Sequence, residues 1–341
     1  MTKKSIIKAR ALLGLMLLFG AAFFSAGVSS RGNDETLIEF VALLGAPNYS
    51  VEKHSDAIEM RNTYLSNYTS ELQNQPLFVP VSEEYATQLS DFNYLTRNIF
   101  LVDPRTKLLE TDIDAAEFLA KDFTIDTSEG PQVLIIHAHS MEMFADSDPS
   151  DPFTGVFGVG RRLAEILEQQ HSLEVLHHTE RFDVVNGIPN RQGSYERLEP
   201  AVRRILADNP SIQVVIDLHR DGVGAHVAPM VTYIEGERAA QIMFVNGLSR
   251  RYRSGVITPV NYLPNPYQRE NLAFSMNLQL AANQMYPGLA RRVYLLEFRY
   301  SLHMAPRSIL LEVGAQNNTF QEALNAVPAI ANIIAAVVLG E

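Results

Sequence analysis

The stretch QVLIIHAHSME at residues 132–142 decides how this chain reads, and IQVVIDLHRDG at 212–222 has the same design. Each opens on a short, nearly unbroken apolar run rich in β-branched residues and ends on histidine with carboxylates close by. A run without polar alternation suits a strand buried on both faces, as in a parallel sheet. Polar residues at the carboxyl end of such a strand stand where open α/β sheets place their ligand sites.

Outward from these two stretches, short β-branched runs alternate with longer amphipathic ones from residue 131 onward, which predicts a parallel sheet covered by helices. Strands are expected at 132–136, 173–176, 212–218, 293–298 and 308–313, and helices at 156–170, 198–207 and 267–285, with an apolar closing helix at 320–339. Runs at 231–234 and 242–245, separated by Glu235, Gly236 and Glu237, are expected to pair with each other. Residues 178–196 read as a long polar connection. None of this determines the order of strands in the sheet.

With 341 residues, 46% of them hydrophobic, the chain can bury a sizeable core, which excludes disorder for most of its length. A net charge of −11 argues against the broad basic surface that nucleic acid requires. There is no cysteine, hence no disulfide framework, no thiolate zinc finger and no cysteine nucleophile. Any metal must be held by nitrogen and oxygen, so histidine and carboxylate carry the chemistry.

Lys3, Lys4, Lys8 and Arg10 precede an uncharged apolar run at 11–28, and no acidic residue occurs before Asp34. This is an export pattern whose run is close to the shortest that spans a bilayer, and the bulky Phe24 stands where a small residue would help cleavage. Residues 1–30 are therefore expected to be an uncleaved transmembrane anchor, with the basic flank in the cytoplasm and the remaining chain outside the cell membrane. Residues 31–129 are polar and read as a juxtamembrane region with helices near 82–98 and 112–122, and 130–341 as the α/β domain.

Three polar constellations fall at expected strand ends. The first is His137-Ala138-His139-Ser140-Met141-Glu142, in which residues 137 and 139 face alike if the strand continues and could approach one ion. Capped or surface histidines produce the same string. The second is Asp217-Leu218-His219-Arg220-Asp221, which parallel pairing would bring beside the first. The third is Glu312 in an otherwise apolar run, read either as one half of an ion pair or as a catalytic base tuned by partial burial. Glu297 has much the same local setting, and the pattern does not choose between them. Two histidines and a glutamate satisfy a catalytic zinc centre with an open position, the chemistry of amide hydrolysis. No HExxH, GxSxG, P-loop or GxGxxG string occurs to support other enzyme classes.

From about 132 to 331 the chain resembles the stage II sporulation protein P family, membrane-anchored peptidoglycan hydrolases of spore-forming bacteria. The resemblance is carried in order by VLIIHAHSME at 133–142, IQVVIDLHRDG at 212–222, the weaker AQIMFVNG at 240–247, and RYSLHMAPRSILLEVGAQNNTFQEA at 299–323. That family in turn resembles the zinc-dependent N-acetylmuramoyl-L-alanine amidases, which implies a mixed, mostly parallel sheet flanked by helices, a Zn2+ cofactor, and peptidoglycan as substrate. By position the resemblance implies His139, Glu142 and His219 as metal ligands and Glu312, rather than Glu297, as catalytic base. His137 is either a ligand in place of one of these or a residue orienting His139. Arg220 is either a contact to a stem-peptide carboxylate or a structural ion pair. Endopeptidase activity is also implied, as is an engulfment complex with a lytic transglycosylase and a membrane scaffold protein. The alternative is a catalytically inert peptidoglycan-binding or scaffold protein of the same fold.

Overall fold

The structure, a computed structural model, describes residues 81–340. The expected anchor at 1–30 lies outside the described residues, as does the 31–80 stretch. Among the described residues the first helices are α1 (Glu83–Leu89) and α2 (Phe92–Asn98), capped by Ser82 and Asp91, whose side chains accept from backbone N–H groups of their first turns. They are followed by β1 (Phe100–Val102) and α3 (Ala115–Ala120). Next come β2 (Val133–Ile136), α4 (Val156–His171) and β3 (Val175–His177). The stretch expected to be a plain polar connection holds a small hairpin, β4 (Val184–Val185) with β5 (Ile188–Pro189). It leads into α5 (Ser194–Asp208) and β6 (Val214–Asp221).

The strand pair expected at 231–234 and 242–245 does not form. Instead β7 (Val231–Ile234) turns at once into β8 (Glu237–Ala240), and β9 (Ile242–Gly247) leaves to enter the main sheet. Glu235 and Gly236 explain the tight hairpin, because both have positive φ (52° and 86°), the conformation that two-residue hairpin turns demand. A second hairpin, β10 (Arg250–Arg253) with β11 (Val256–Pro259), precedes α6 (Gln268–Met285), β12 (Ala290–Leu296), β13 (Ser308–Ala315) and α7 (Phe320–Leu339).

Seven strands form one sheet in the order β1-β12-β9-β13-β6-β2-β3. Every neighbouring pair is parallel except β13 with β9, so the sheet is mixed and mostly parallel, as the family resemblance implies. The edge strand β1 comes from the stretch that reads as juxtamembrane in sequence: Phe100, Leu101 and Val102 pair with Val293, Tyr294 and Leu295. Phe100 and Phe118 are fully buried in the main core, so at least this part of 31–129 packs with the sheet.

Strand alternation divides the sheet into two faces. Val133, Ile135, Ile216, Leu218 and Leu311 point to the larger core, shared with α4, α6 and α7. Leu134, Ile136 and Val215 point the other way, against Leu198 and Val202 of α5. Helix α7 is the one described helix long and apolar enough to cross a membrane, yet 72% of its most apolar window is buried within the protein. It starts from a capping box in which Thr319 and Glu322 satisfy each other's backbone N–H groups. Helix α6 is buried along most of its length, so its polar side chains need partners. Asn271 accepts from the Ser308 backbone N–H and donates to the Leu302 carbonyl, which fastens the 299–307 loop beneath the end of β6.

Candidate metal centre

The ends of β2 and β6 lie side by side, with Ile136 opposite Asp217 in parallel register. There the chain of β2 turns away. The Ala138 N–H donates to Asp217 Oδ1 at 2.9 Å, while Asp183 accepts from the Ser140 hydroxyl and from the Met141 N–H, holding the following loop. Because the strand stops at Ile136, residues 137 and 139 do not face alike, which corrects the sequence expectation.

His137 stays on the larger-core face. Its Nδ1–H donates to the Leu218 carbonyl at 2.8 Å, and its Nε2, 2.9 Å from His177 Nε2, accepts the hydrogen of that ring. This tautomer is assigned from the carbonyl, which can only accept. Burial, with the neighbouring His177, pushes His137 down to about 3, and burial pushes His177 down to about 4, so both rings are neutral near pH 7. With both ring nitrogens engaged by Leu218 and His177, His137 props the peptide just before His219. The two rings leave no room beneath them: a Cβ on Gly160 of α4 would stand 2.8 Å from Nε2 of each. Gly160→Ala is expected to lose about 1–3 kcal/mol of stability, despite alanine's better helix propensity, and a denaturant titration that finds the variant as stable as the parent would refute this packing.

On the opposite face His139, Glu142 and His219 converge. One ligand atom from each lies within 4.8 Å of the other two, and all three residues are buried. The His139 and His219 rings stand edge to face with centroids 5.0 Å apart. His219 Nδ1 is 3.1 Å from Glu142 Oε2, and its Nε2–H donates to Asp217 Oδ1 at 2.7 Å. Asp217 in turn accepts from the Ser301 hydroxyl at 2.7 Å. His139 Nδ1, 3.5 Å from Glu142 Oε1, is buried without a hydrogen-bond partner. A buried, unpaired imidazole nitrogen beside a carboxylate and a second imidazole is what a divalent cation would satisfy.

The charges follow from the neighbours. Burial alone would raise the Glu142 carboxyl, but the imidazoles of His219 and His139 outweigh it and hold Glu142 well below the usual carboxylate range. Burial alone would lower His219, yet Asp217 and Glu142 on either side raise it well above an ordinary histidine. Glu142 is further held by Arg191 Nη2 at 2.7 Å on Oε1 and by the Arg220 N–H at 3.0 Å on Oε2. Tyr195, in the first turn of α5, packs edge-on against His139 with centroids 5.4 Å apart.

Glu312 on β13 is in register with His219 on β6, so both side chains leave the sheet on the same face from neighbouring strands. Its Oε2 is enclosed and has no hydrogen-bond partner. Burial, opposed by His219 and reinforced by Glu142 and Asp221, pushes the Glu312 carboxyl up to about 8. Glu297, the other carboxylate that the sequence pattern leaves open, follows β12 with β9 between it and β13, and its Oε2 accepts from Arg253 at 2.8 Å. The Arg220 side chain donates from Nε to the Met143 carbonyl at 3.0 Å and from Nη1 to the Asp221 carbonyl at 3.3 Å.

Asp217, Arg191, Asp183 and Tyr195 have no role in the sequence reading. Asp217 alone carried a signal, since it stands two residues before His219 on one strand and must share its face. The others reach the site from a distant loop and helix start.

The protein is 26% identical over 222 residues to stage II sporulation protein P of Bacillus subtilis (strain 168), covering 61% of this chain and 51% of that protein. The chain thus matches about half the length of this curated relative. Among solved structures, the catalytic domain of the CwlV N-acetylmuramoyl-L-alanine amidase from Bacillus (Paenibacillus) polymyxa var. colistinus aligns at TM-score 0.34 and 14% identity, over 60% of this chain and 96% of that one. The CwlD amidase of Clostridioides difficile, in complex with the GerS lipoprotein, aligns at TM-score 0.36 and 14% identity, over 61% and 95%. The family model described as stage II sporulation protein P matches residues 50–335, most of the chain, and the protein belongs to that family.

Proposed function

We propose that this protein is a peptidoglycan hydrolase acting in cell-wall remodelling during sporulation, and that its reaction is zinc-dependent hydrolysis of the amide between N-acetylmuramic acid and the L-alanine of the stem peptide. The observation that carries the reading is the convergence of His139, Glu142 and His219 into one buried group beside the enclosed carboxyl of Glu312. The donors fit zinc, which accepts two imidazoles and a carboxylate in catalytic sites and leaves a position open. Zinc bound there would supply Lewis acidity, polarising an amide carbonyl and acidifying water.

The chain's own residues divide the remaining work. Glu312 takes the proton of the attacking water and returns it to the leaving amine, a task suited to a carboxylate that leaves the sheet beside His219 on the same face. Asp217 accepts from His219 Nε2, which fixes the tautomer and aims Nδ1 into the group, and Ser301 holds Asp217 in turn. The Tyr195 ring packed against His139 and the peptide propped by His137 hold the two imidazoles in place. Endopeptidase cleavage of cross-links would use the same groups on a second amide.

The same reading places the α/β domain, with β1 and α3 packed into it, outside the cell membrane, tethered by a single span at 1–30. A tether, or a complex with a lytic transglycosylase and a membrane scaffold protein, would offset the repulsion between a chain of net charge −11 and anionic wall polymers. The deciding experiment incubates the purified protein with peptidoglycan and identifies the products by mass spectrometry. Stem peptides with free L-alanine termini are expected, their release is expected to stop when a chelator strips the metal, and added Zn2+ should restore it. Release that ignores the chelator would sink the metal mechanism, and binding to peptidoglycan without release would favour an inert module.

A further inference from the structure

Arg191 is built into the site in a way that its exposed position hides. The loop that carries it is braced on both sides: Arg197 donates Nη2 to the Asn190 carbonyl at 2.6 Å, Nη1 to the Gln192 carbonyl at 2.9 Å and Nε to the Phe182 carbonyl at 2.6 Å. The Asn190 N–H donates to the Asp183 carbonyl at 2.7 Å, and the Asp183 carboxylate grips the loop between His139 and Glu142. The backbone of Arg191 is thereby fastened to the segment that supplies two of the three converging ligands. Its side chain is 62% exposed, and its guanidinium gives one N–H to Glu142. A guanidinium has five donors in a planar fork, so an anion entering from solvent can meet it two-pronged. Arg220, the arginine that sequence resemblance suggested for such a contact, has its side chain bound to backbone carbonyls instead.

We propose that Arg191 is the specificity-determining residue of this site: it binds a free carboxylate on the second residue of the stem peptide, so that the protein favours acidic stems over stems amidated at that position. The inference rests on the amidase reading above and deepens it. An extended chain advances about 3.3–3.6 Å per residue, which puts a carboxylate on the second residue about 4–7 Å from the cleaved amide, within the span of a guanidinium anchored on a ligand of the same centre. A carboxamide at that place would meet donors with donors through its NH2 and lose the charge.

The test uses the purified full chain loaded with zinc and two soluble substrates, N-acetylmuramoyl tripeptides with D-glutamate or D-isoglutamine as second residue. The parent protein is expected to cleave the acidic substrate with kcat/KM about 10- to 100-fold higher, most of it in KM. Arg191→Gln should bring the ratio close to one by losing the acidic substrate's advantage, and Arg191→Lys should regain part of it. Binding of both peptides to the Glu312→Gln protein, measured by calorimetry, should show the same preference without turnover. A parent ratio within twofold, or a ratio that Arg191→Gln leaves intact, overturns the proposal while the amidase reading stands. So does loss of bound zinc from Arg191→Gln with both substrates declining alike, which would confine Arg191 to steadying Glu142. Cleavage of neither substrate by the zinc-loaded parent refutes the amidase reading and this inference with it.

Discussion

On the amidase reading, Glu312→Gln is expected to lower the release of stem peptides from peptidoglycan by about 10²- to 10⁴-fold, the usual worth of one positioned acid–base group, with zinc binding and fold retained. The substitution keeps the shape of the side chain and removes only its ability to take a proton. In the metal-free protein it has a second, independent signature. Burial raises the Glu312 carboxyl to about 8 in the folded chain, against an ordinary value of 4.5. The folded state therefore holds the proton more tightly than the unfolded one. That contribution is fully present below pH 4.5, declines as pH rises, and is gone above about 8. The glutamine variant, neutral throughout, has no such decline. Its melting temperature relative to the parent should therefore rise from pH 5 to 8, by the equivalent of at most about 1.4 kcal/mol per pH unit. An activity loss below tenfold, or a stability difference that ignores pH, would show that Glu312 is neither the base nor enclosed.

His219→Ala should be the most damaging single change to the fold of the site. His219 sits between two carboxylates, 2.7 Å from Asp217 and 3.1 Å from Glu142, and all three are nearly excluded from solvent. Removing the imidazole leaves two buried anions without the cation between them, and breaking a buried pair in this way costs about 3–5 kcal/mol. Glu142 keeps Arg191, and Asp217 keeps Ser301 and the Ala138 N–H, which points to the lower end of that range. About 3 kcal/mol corresponds to a fall of roughly 6–12 °C in melting temperature for a unit of this size. In the metal-free protein His219 is raised above its ordinary value when folded, so its contribution is fully present below pH 6.5 and lost as pH climbs through the raised value, and the penalty there should be largest in mild acid. The same variant should lose its zinc, read by metal analysis. A protein that melts within a degree of the parent and retains stoichiometric zinc would remove His219 from the centre.

The contrast between His137 and His139 shows where legibility in the sequence ends. Both stand in one motif, two residues apart, and alternation would put them on one face. The strand stops at Ile136, the Ala138 N–H turns to Asp217, and the two rings end on opposite sides of the sheet. Nothing local announces that stop, because the group that draws the backbone aside belongs to a strand about eighty residues further on. Arg191 is a sharper case. Nothing distinguishes it from other loop arginines until Arg197 and Asp183 are seen to tie its loop to the ligand segment.

The sequence by itself supplied the candidate donors and their local setting: apolar runs followed by His137, His139, Glu142 and His219 or enclosing Glu297 and Glu312, helices between them, and, without cysteine, an all nitrogen-and-oxygen donor set. These are short-range properties, set by side-chain period and by which residues can bind a cation at all. Only the tertiary structure decided the strand order, the single antiparallel neighbour, the register that sets Glu312 beside His219, and the entry of β1 from a stretch that reads as a linker. Pairing between strands distant in the chain depends on how helices fill both faces of the sheet at once, and that packing has no counterpart in the order of residues along the chain.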